Sequence, residues 1–272
     1  MSMVCDIGSD ELLRYLSQKR IVIYGTGYVG RKFFYALKKH GLEQNILSFF
    51  VSELVEGQNR IEGIPVRNID VFDNYDHVVV CIAVHEVWKD EIACNLRQMD
   101  YIWIYPFLNE LLLGRPIEEN VHVDLTKVIR NCMKGYRLAV RYMVVEQYFK
   151  KNKIGYDIYI KAISLHCDKK TAEERLQKFC EMIYNWERFG YDKSSRISIN
   201  TQYEIVDGCH RISLARYYGQ KKVICNIFSN ELSITELHGE KCLLTEEVIK
   251  DGGFRAEDIE ALDKINKIIR GV

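Results

Sequence analysis

The sequence predicts an α/β protein in three parts: a parallel sheet with helices on both faces over residues 1-110, a helical connector over 111-155, and an α+β domain over 156-272. Three observations carry this. A buried strand, the turn Gly25-Thr-Gly-Tyr-Val-Gly30 and a helical pattern follow one another between residues 20 and 40. Short apolar runs then alternate with helical patterns as far as residue 108, and such alternation implies parallel strands joined by crossover helices. A second strand, turn and helix occupies residues 203-219.

Residues 11-18 read as a short helix leading into the strand Arg20-Ile-Val-Ile-Tyr24. Arg31 to His40 has helical spacing and stops at Gly41, a normal C-cap. A strand over Ile46 to Val51 follows, then Ile64-Pro-Val66, the buried strand His77 to Ala83, a helix from Val84 to Met99 and the strand Tyr101 to Tyr105. Leu111-Leu-Leu-Gly-Arg-Pro116 closes the sheet. Asp124 to Lys150 carries apolar residues with charges interleaved and reads as one or two connecting helices broken near Gly135. Its basic residues Lys127, Arg130, Lys134, Arg137 and Arg141 recur at helical spacing, which fits a solvated face better than an anion-binding stripe.

The α+β domain opens with Ile158-Tyr-Ile-Lys-Ala-Ile163 as a strand. Thr171 is the expected N-cap of the next helix, with Glu174 completing a capping box. Arg196 to Asn200 alternates as a strand and Thr201-Gln202 turns it into Tyr203 to Val206, a hairpin. Gly208 breaks the run, a helix begins at Ile212, and Lys222 to Phe228 is a last strand. Asp251-Gly-Gly-Phe254 is a turn before an amphipathic helix over Ala256 to Ile269.

Two turns carry candidate chemistry. In the first, Gly25, Thr26, Gly27, Tyr28 and Gly30 form G-x-G-x-x-G between a strand and a helix, where glycines permit a tight turn, the approach of a pyrophosphate and close packing of helix on strand. An acid near the end of the second strand would hold a ribose; Ser52 stands at that place and Glu53 follows. In the second, Asp207-Gly-Cys-His-Arg211 brings Asp207, Gly208, Cys209, His210 and Arg211 beside the first amides of a helix, where unpaired N–H groups and the helix dipole favour an anion such as phosphate. Arg211 can clamp phosphate oxygens or pair with a neighbouring acid. His210 can donate to phosphate, act as acid or base, or be structural. Asp207 can cap the helix, hold Mg²⁺ or accept a proton from an attacking hydroxyl. Cys209 has its thiolate favoured at a helix start and is a candidate nucleophile. Ser194, Ser195 and Arg196 precede the hairpin and could face the same pocket.

Asp-Gly-x-His-Arg between strand and helix resembles the signature of the ParB and sulfiredoxin superfamily, and Gly208-Cys-His-Arg211 is similar to the sulfiredoxin box, over roughly residues 156-228. That resemblance implies a site for ATP or another nucleoside triphosphate with Mg²⁺. The sulfiredoxin box has glycine where this chain has Asp207, which sets covalent chemistry at Cys209 below a kinase-like reading. Residues 18-108 look like the short Rossmann-like domain at the front of bacterial sugar-modifying enzymes, with Gly63-Ile-Pro-Val66 as its middle strand. This implies a dinucleotide or nucleotide sugar, or a scaffold with no ligand.

Composition narrows the classes. Lys+Arg and Asp+Glu number 38 each, so no basic field advertises a nucleic-acid partner. The N-terminus lacks a basic start and an apolar core, and no apolar run reaches membrane-spanning length, so a cytoplasmic protein with no membrane partner is expected. Nine cysteines are scattered without a C-x-x-C pair, which indicates neither zinc nor a disulfide framework. The resulting expectation is a nucleotide-dependent phosphotransferase acting on a small hydroxylated or sugar-linked acceptor in bacterial carbohydrate or polysaccharide metabolism. The alternatives are a ParB-like nuclease or CTP-dependent DNA-binding protein, and an NAD(P)- or nucleotide-sugar-dependent enzyme using the first turn.

Overall fold

The computed structural model describes residues 8-54, 57, 59-71, 77-84, 88-96, 99-132, 135-190, 196-229 and 239-271. The chain is mixed α/β and divides into two compact units, Met1–Gly114 and Arg115–Val272.

In the first unit, α1 (Ser9–Ser17) precedes β1 (Arg20–Tyr24), α2 (Tyr28–Lys39) and β2 (Ile46–Val51). The short β3 (Arg60–Ile61), then β4 (Ile64–Asn68), β5 (Val78–Ile82), α3 (Lys89–Asn95), β6 (Asp100–Trp103) and α4 (Leu108–Leu113) complete it. The strand order is β3-β4-β2-β1-β5-β6, with every pairing parallel except β3 with β4. β1 therefore lies between β2 and β5, where the order reverses, and the Gly25 turn sits at its carboxyl end. Ile21, Val22 and Ile23 on β1 and Val79 to Ile82 on β5 are wholly or almost wholly buried, as the continuous apolar runs require of strands covered on both faces. The helix expected over 84-99 is confined among the described residues to α3; residues 85-87 and 97-98 lie outside them.

The second unit holds β7 (Glu118–Asp124), α5 (Leu125–Asn131), α6 (Arg137–Tyr148), α7 (Gly155–Ile163) and α8 (Lys169–Phe189). It continues with β8 (Ile197–Asn200), β9 (Ile205–Asp207), α9 (Cys209–Tyr217), β10 (Lys222–Phe228), α10 (Glu240–Leu243), α11 (Glu246–Asp251) and α12 (Ala256–Arg270). Its sheet runs β7-β10-β8-β9, antiparallel at β7/β10 and β8/β9 and parallel at β10/β8.

Three expectations are corrected here. Residues 115-155 are not a connector: β7 pairs with β10, and Leu125, Val128, Ile129 and Leu138 to Val140 are buried in the same core as Ile197, Ile212 and Leu214. The segment Ile158 to Ile163 is helix rather than strand, because its buried residues, Gly155, Ile158, Tyr159, Ala162 and Ile163, recur with a helical and not a two-residue period. The N-cap of α8 is Asp168, one turn before Thr171; its carboxylate accepts from the Thr171 amide at 2.8 Å and the Thr171 hydroxyl at 2.6 Å.

Candidate functional site

The Asp207–Arg211 turn is built by one glycine. Gly208 takes φ 112°, ψ 18°, a conformation that side chains with a Cβ rarely adopt, and so swings the chain from the end of β9 straight into α9. A Cβ there would also press on Ile197 at 3.1 Å and on the Arg211 guanidinium at 3.4 Å. Gly208 has no side chain to accept from the leading amides of α9.

Asp207 does not cap this helix. It accepts from Arg211 Nη2 at 2.9 Å, one helical turn away. Arg211 Nη1 donates to the Arg196 carbonyl, and Arg196 Nε to Asn120 Oδ1. Arg211 is thus held from two sides and largely covered, its side chain 18% exposed against 56% for Asp207. Ser194 and Ser195 lie outside the described residues.

The other two box residues turn inward. Cys209 is buried in the apolar core, away from the position a nucleophile needs to meet a substrate. His210 Nε2 shares a 2.9 Å hydrogen bond with the hydroxyl of Tyr159, and its ring meets Phe179 edge-on at 4.4 Å. Tyr159 is fully buried, and burial pushes its phenol above the usual value. It is a fixed, protonated neighbour that orients the imidazole.

Around Tyr159 and His166 lies a basic cluster whose members are scattered along the sequence. Arg141 and Arg175 both act on the Tyr159 phenol. His166, between α7 and α8, is pushed down from 6.5 to about 4, by burial first and then by the charges of Arg175, Arg141, Lys241 and Arg137. Lys127 is not part of this group; it lies on α5 with its ammonium 3.6 Å from the Tyr203 ring centroid. Arg137 and Arg141 sit on α6, so the basic residues of 127-141 are shared between two helices; Lys134 lies outside the described residues. Tyr159, Phe179, Arg175 and His166 were missed because nothing local in an apolar or mixed helix marks its partner some 50 residues away.

The His166 shift gives a stability prediction. The unfolded state protonates first, so this group's contribution is complete above pH 6.5 and is lost as pH falls towards about 4. Two units or more of shift in a mostly buried group correspond to roughly 2–3 kcal/mol. Urea denaturation at about pH 7.5 and about pH 4.5 should show His166→Gln losing about 2 kcal/mol less than wild type on acidification. Equal losses would remove His166 from the acid response.

The first turn is arranged differently. Gly25, at φ 114°, donates to the Phe50 carbonyl at 2.9 Å, and a Cβ on it would meet Ala83 O at 2.8 Å. Gly30 faces the Gly25 carbonyl so closely that a Cβ would fall 1.9 Å from its oxygen. Both glycines are therefore required by packing. Gly27 is not: it N-caps α2 without a capping side chain, and a Cβ there would have nothing within 4 Å. The Thr26 carbonyl accepts from Arg31 Nε at 3.3 Å, and Tyr28 is partly exposed beneath the Lys32 ammonium. At the end of β2 the Ser52 hydroxyl is engaged with the Tyr24 hydroxyl at 2.7 Å, and Glu53 stands exposed beyond it.

No protein-family model, curated protein or solved structure matches the chain. No helix among the described residues is long and apolar enough to cross a membrane.

Proposed function

We propose that the unit Arg115–Val272 is the nucleotide-binding part of a phosphotransferase of the ParB/sulfiredoxin-like kind, which moves a phosphoryl group from ATP or a related triphosphate to a small hydroxylated or sugar-linked acceptor in the cytoplasm. The observation that carries this reading is the start of α9 at a glycine N-cap, Gly208, with the Arg211 guanidinium already oriented beside it. Backbone N–H groups at that helix start suit phosphate oxygens, and Arg211 supplies the planar donor pair.

The Asp207–Arg211 pair has the right strength for this. A pair with so exposed a carboxylate is worth about 1 kcal/mol or less, so a phosphate dianion can displace Asp207 from Arg211. Asp207 is then released next to the phosphates, where it can help hold Mg²⁺ or orient and deprotonate an acceptor hydroxyl. Among the described residues no three His, Cys, Asp or Glu side chains converge as a metal site, so Mg²⁺ would reach Asp207 on the nucleotide's own phosphates, as is usual for this ion. His210, locked to Tyr159, would position the turn. In this reading Cys209 has a packing role.

The unit Met1–Gly114 is read as a Rossmann-like domain for the acceptor, with a nucleotide sugar or dinucleotide as its ligand class. What favours this is the open face of Gly27 at the strand-order reversal.

Calorimetric titration with Mg·ATP tests the main reading. Arg211→Ala and Arg211→Gln should weaken binding by at least about tenfold, the loss expected for a charge-assisted contact. Asp207→Asn should retain binding and lose transfer to the acceptor. Wild-type affinity in both Arg211 variants would remove the nucleotide from this turn.

A further inference from the structure

The basic groups around Tyr159 and His166 come from separate elements. Arg141 lies on α6, Arg175 on α8, His166 between α7 and α8, and Lys241 on α10. Helices α6, α7 and α8 pack against one another, which brings Arg141, Arg175 and His166 into one region, and the Lys241 charge also reaches His166. Arg141 Nη1 donates to the Arg137 carbonyl at 2.8 Å, which leaves the rest of its fork for another acceptor. Arg141 Nε, Arg175 Nε and His166 Nδ1 are all shut off from solvent and have no hydrogen-bond partner. Neither arginine, nor Lys241, forms an ion pair with a described residue.

Acidic neighbours do not resolve the excess. The largest charges acting on His166 are all positive, from Arg175, Arg141, Lys241 and Arg137. Asp168 is committed to capping α8 through Thr171. Glu174 stands next to Arg175 in sequence, yet its buried Oε2 is itself without a partner and makes no bond to either arginine. Buried donors without acceptors and like charges without counter-charge are both unfavourable, and both are relieved by one event, the entry of an anion that accepts several hydrogen bonds. A tetrahedral dianion matches two guanidiniums, an ammonium and an imidazole better than a single carboxylate does, because it offers more acceptor oxygens and twice the charge.

We propose that Arg141, Arg175, Lys241 and His166 form a binding site for a phosphate group, either free phosphate or the phosphate monoester of a small organic molecule. The site draws on none of Asp207, Cys209 or Arg211 and does not rest on the nucleotide reading. Arg141 and Arg175 act on the Tyr159 phenol, whose hydroxyl is tied to His210, so occupancy would be felt at the box through that one ring.

The test is calorimetry and thermal denaturation of the full chain with inorganic phosphate and with a hexose 6-phosphate, chloride serving as the ionic-strength control. Both phosphates are expected to bind wild type and raise its Tm. Arg175→Gln and the pair Arg141→Gln with Arg175→Gln should weaken binding by at least about tenfold. These variants should also keep or raise the Tm measured without phosphate, because they remove uncompensated charge; a purely structural arginine would lower it. Tighter binding of the hexose phosphate identifies an organic phosphate as ligand, and equal binding identifies phosphate itself. Phosphate binding that is lost in Arg211→Ala but kept in Arg175→Gln would place the anion at the Asp207–Arg211 turn and overturn the proposal, which separates this site from the nucleotide reading. Absence of phosphate-dependent stabilisation in wild type, or stabilisation that survives in the double variant, would overturn the proposal.

Discussion

Gly30→Ala is expected to unfold the first unit or to destabilise it by about 3 kcal/mol or more, at the upper end of what an added methyl does in a packed core. The methyl carbon would fall 1.9 Å from the Gly25 carbonyl oxygen and 2.8 Å from its carbon, and both belong to backbone. Neither partner can yield. Gly25 is fixed by its bond to the Phe50 carbonyl on β2 and the preceding Tyr24 by the Ala83 amide beyond β5, while α2 is fixed by Phe33, Phe34 and Leu37 in the core. Relief would require α2 to lift from β1 and expose those side chains. A change of about 3 kcal/mol should lower Tm by more than about 10 °C in a unit of this size. Hydrogen exchange read on peptides from residues 20-50 assigns the loss to this unit. Gly27→Ala is the control: φ is −75° and a methyl there has nothing within 4 Å, so a change within about 0.5 kcal/mol is expected. A Gly30→Ala protein with wild-type Tm would mean that the turn is not packed this way. The pair of variants also divides the motif by role, because Gly30 serves the fold and Gly27 alone is spare for a ligand.

The same division describes how far the sequence could be read. Elements bounded by a glycine with positive φ were legible. Gly41 after α2, Gly208 before α9 and Gly219 after it all have positive φ, and each stood where a periodic pattern began or stopped. The hairpin of β8 and β9 was legible from the alternating residue types of Arg196 to Asn200 and the short connection, but its register shifts between Ser198 and Ile199 and its turn runs over residues 201-204 rather than Thr201-Gln202 alone. β7 was not, because Glu118-Glu-Asn-Val-His-Val-Asp124 buries only Val123; it is an edge strand that exists through its pairing with β10. α7 was misread because six residues, Ile-Tyr-Ile-Lys-Ala-Ile, satisfy the strand and the helix template together, and only packing against α6 and α8 separates them. That error hid the site's interior. As a strand, residues 158-163 would send Tyr159 and Ile158 to opposite faces; as a helix they place Tyr159 against His210, 51 positions away. The box was visible as a pattern of residue types, whereas its direction was not: Cys209 and His210 face the core and Asp207 and Arg211 form a pair because of where α9 lands, which Gly208 decides.

Gly155→Ala should be as damaging to the second unit as Gly30→Ala is to the first. Gly155 opens α7 directly against α6, where a Cβ would lie 2.2 Å from the Met143 carbonyl oxygen, 2.5 Å from its carbon and 3.0 Å from Val144 N. The neighbourhood is further tied by Asn152, whose side chain donates to the same Met143 carbonyl at 2.9 Å and accepts from the Gly155 amide at 3.0 Å. The clash is thus with a helix backbone that Asn152 clamps in place, and α7 must move away from α6. A loss of about 3 kcal/mol or more is expected. Because α6 carries Arg141 and α7 carries Tyr159, separation of the two should remove phosphate binding and the His210–Tyr159 contact together with the fold. Arg175→Gln should instead remove phosphate binding and keep the fold. Urea denaturation of the two variants side by side tells these apart: a lowered midpoint in Gly155→Ala with an unchanged one in Arg175→Gln is the expected pair. A Gly155→Ala protein with an unchanged midpoint would show that α6 and α7 do not approach at Met143, and with that the packing that gathers Arg141, Arg175 and His166 around Tyr159 would have to be redrawn.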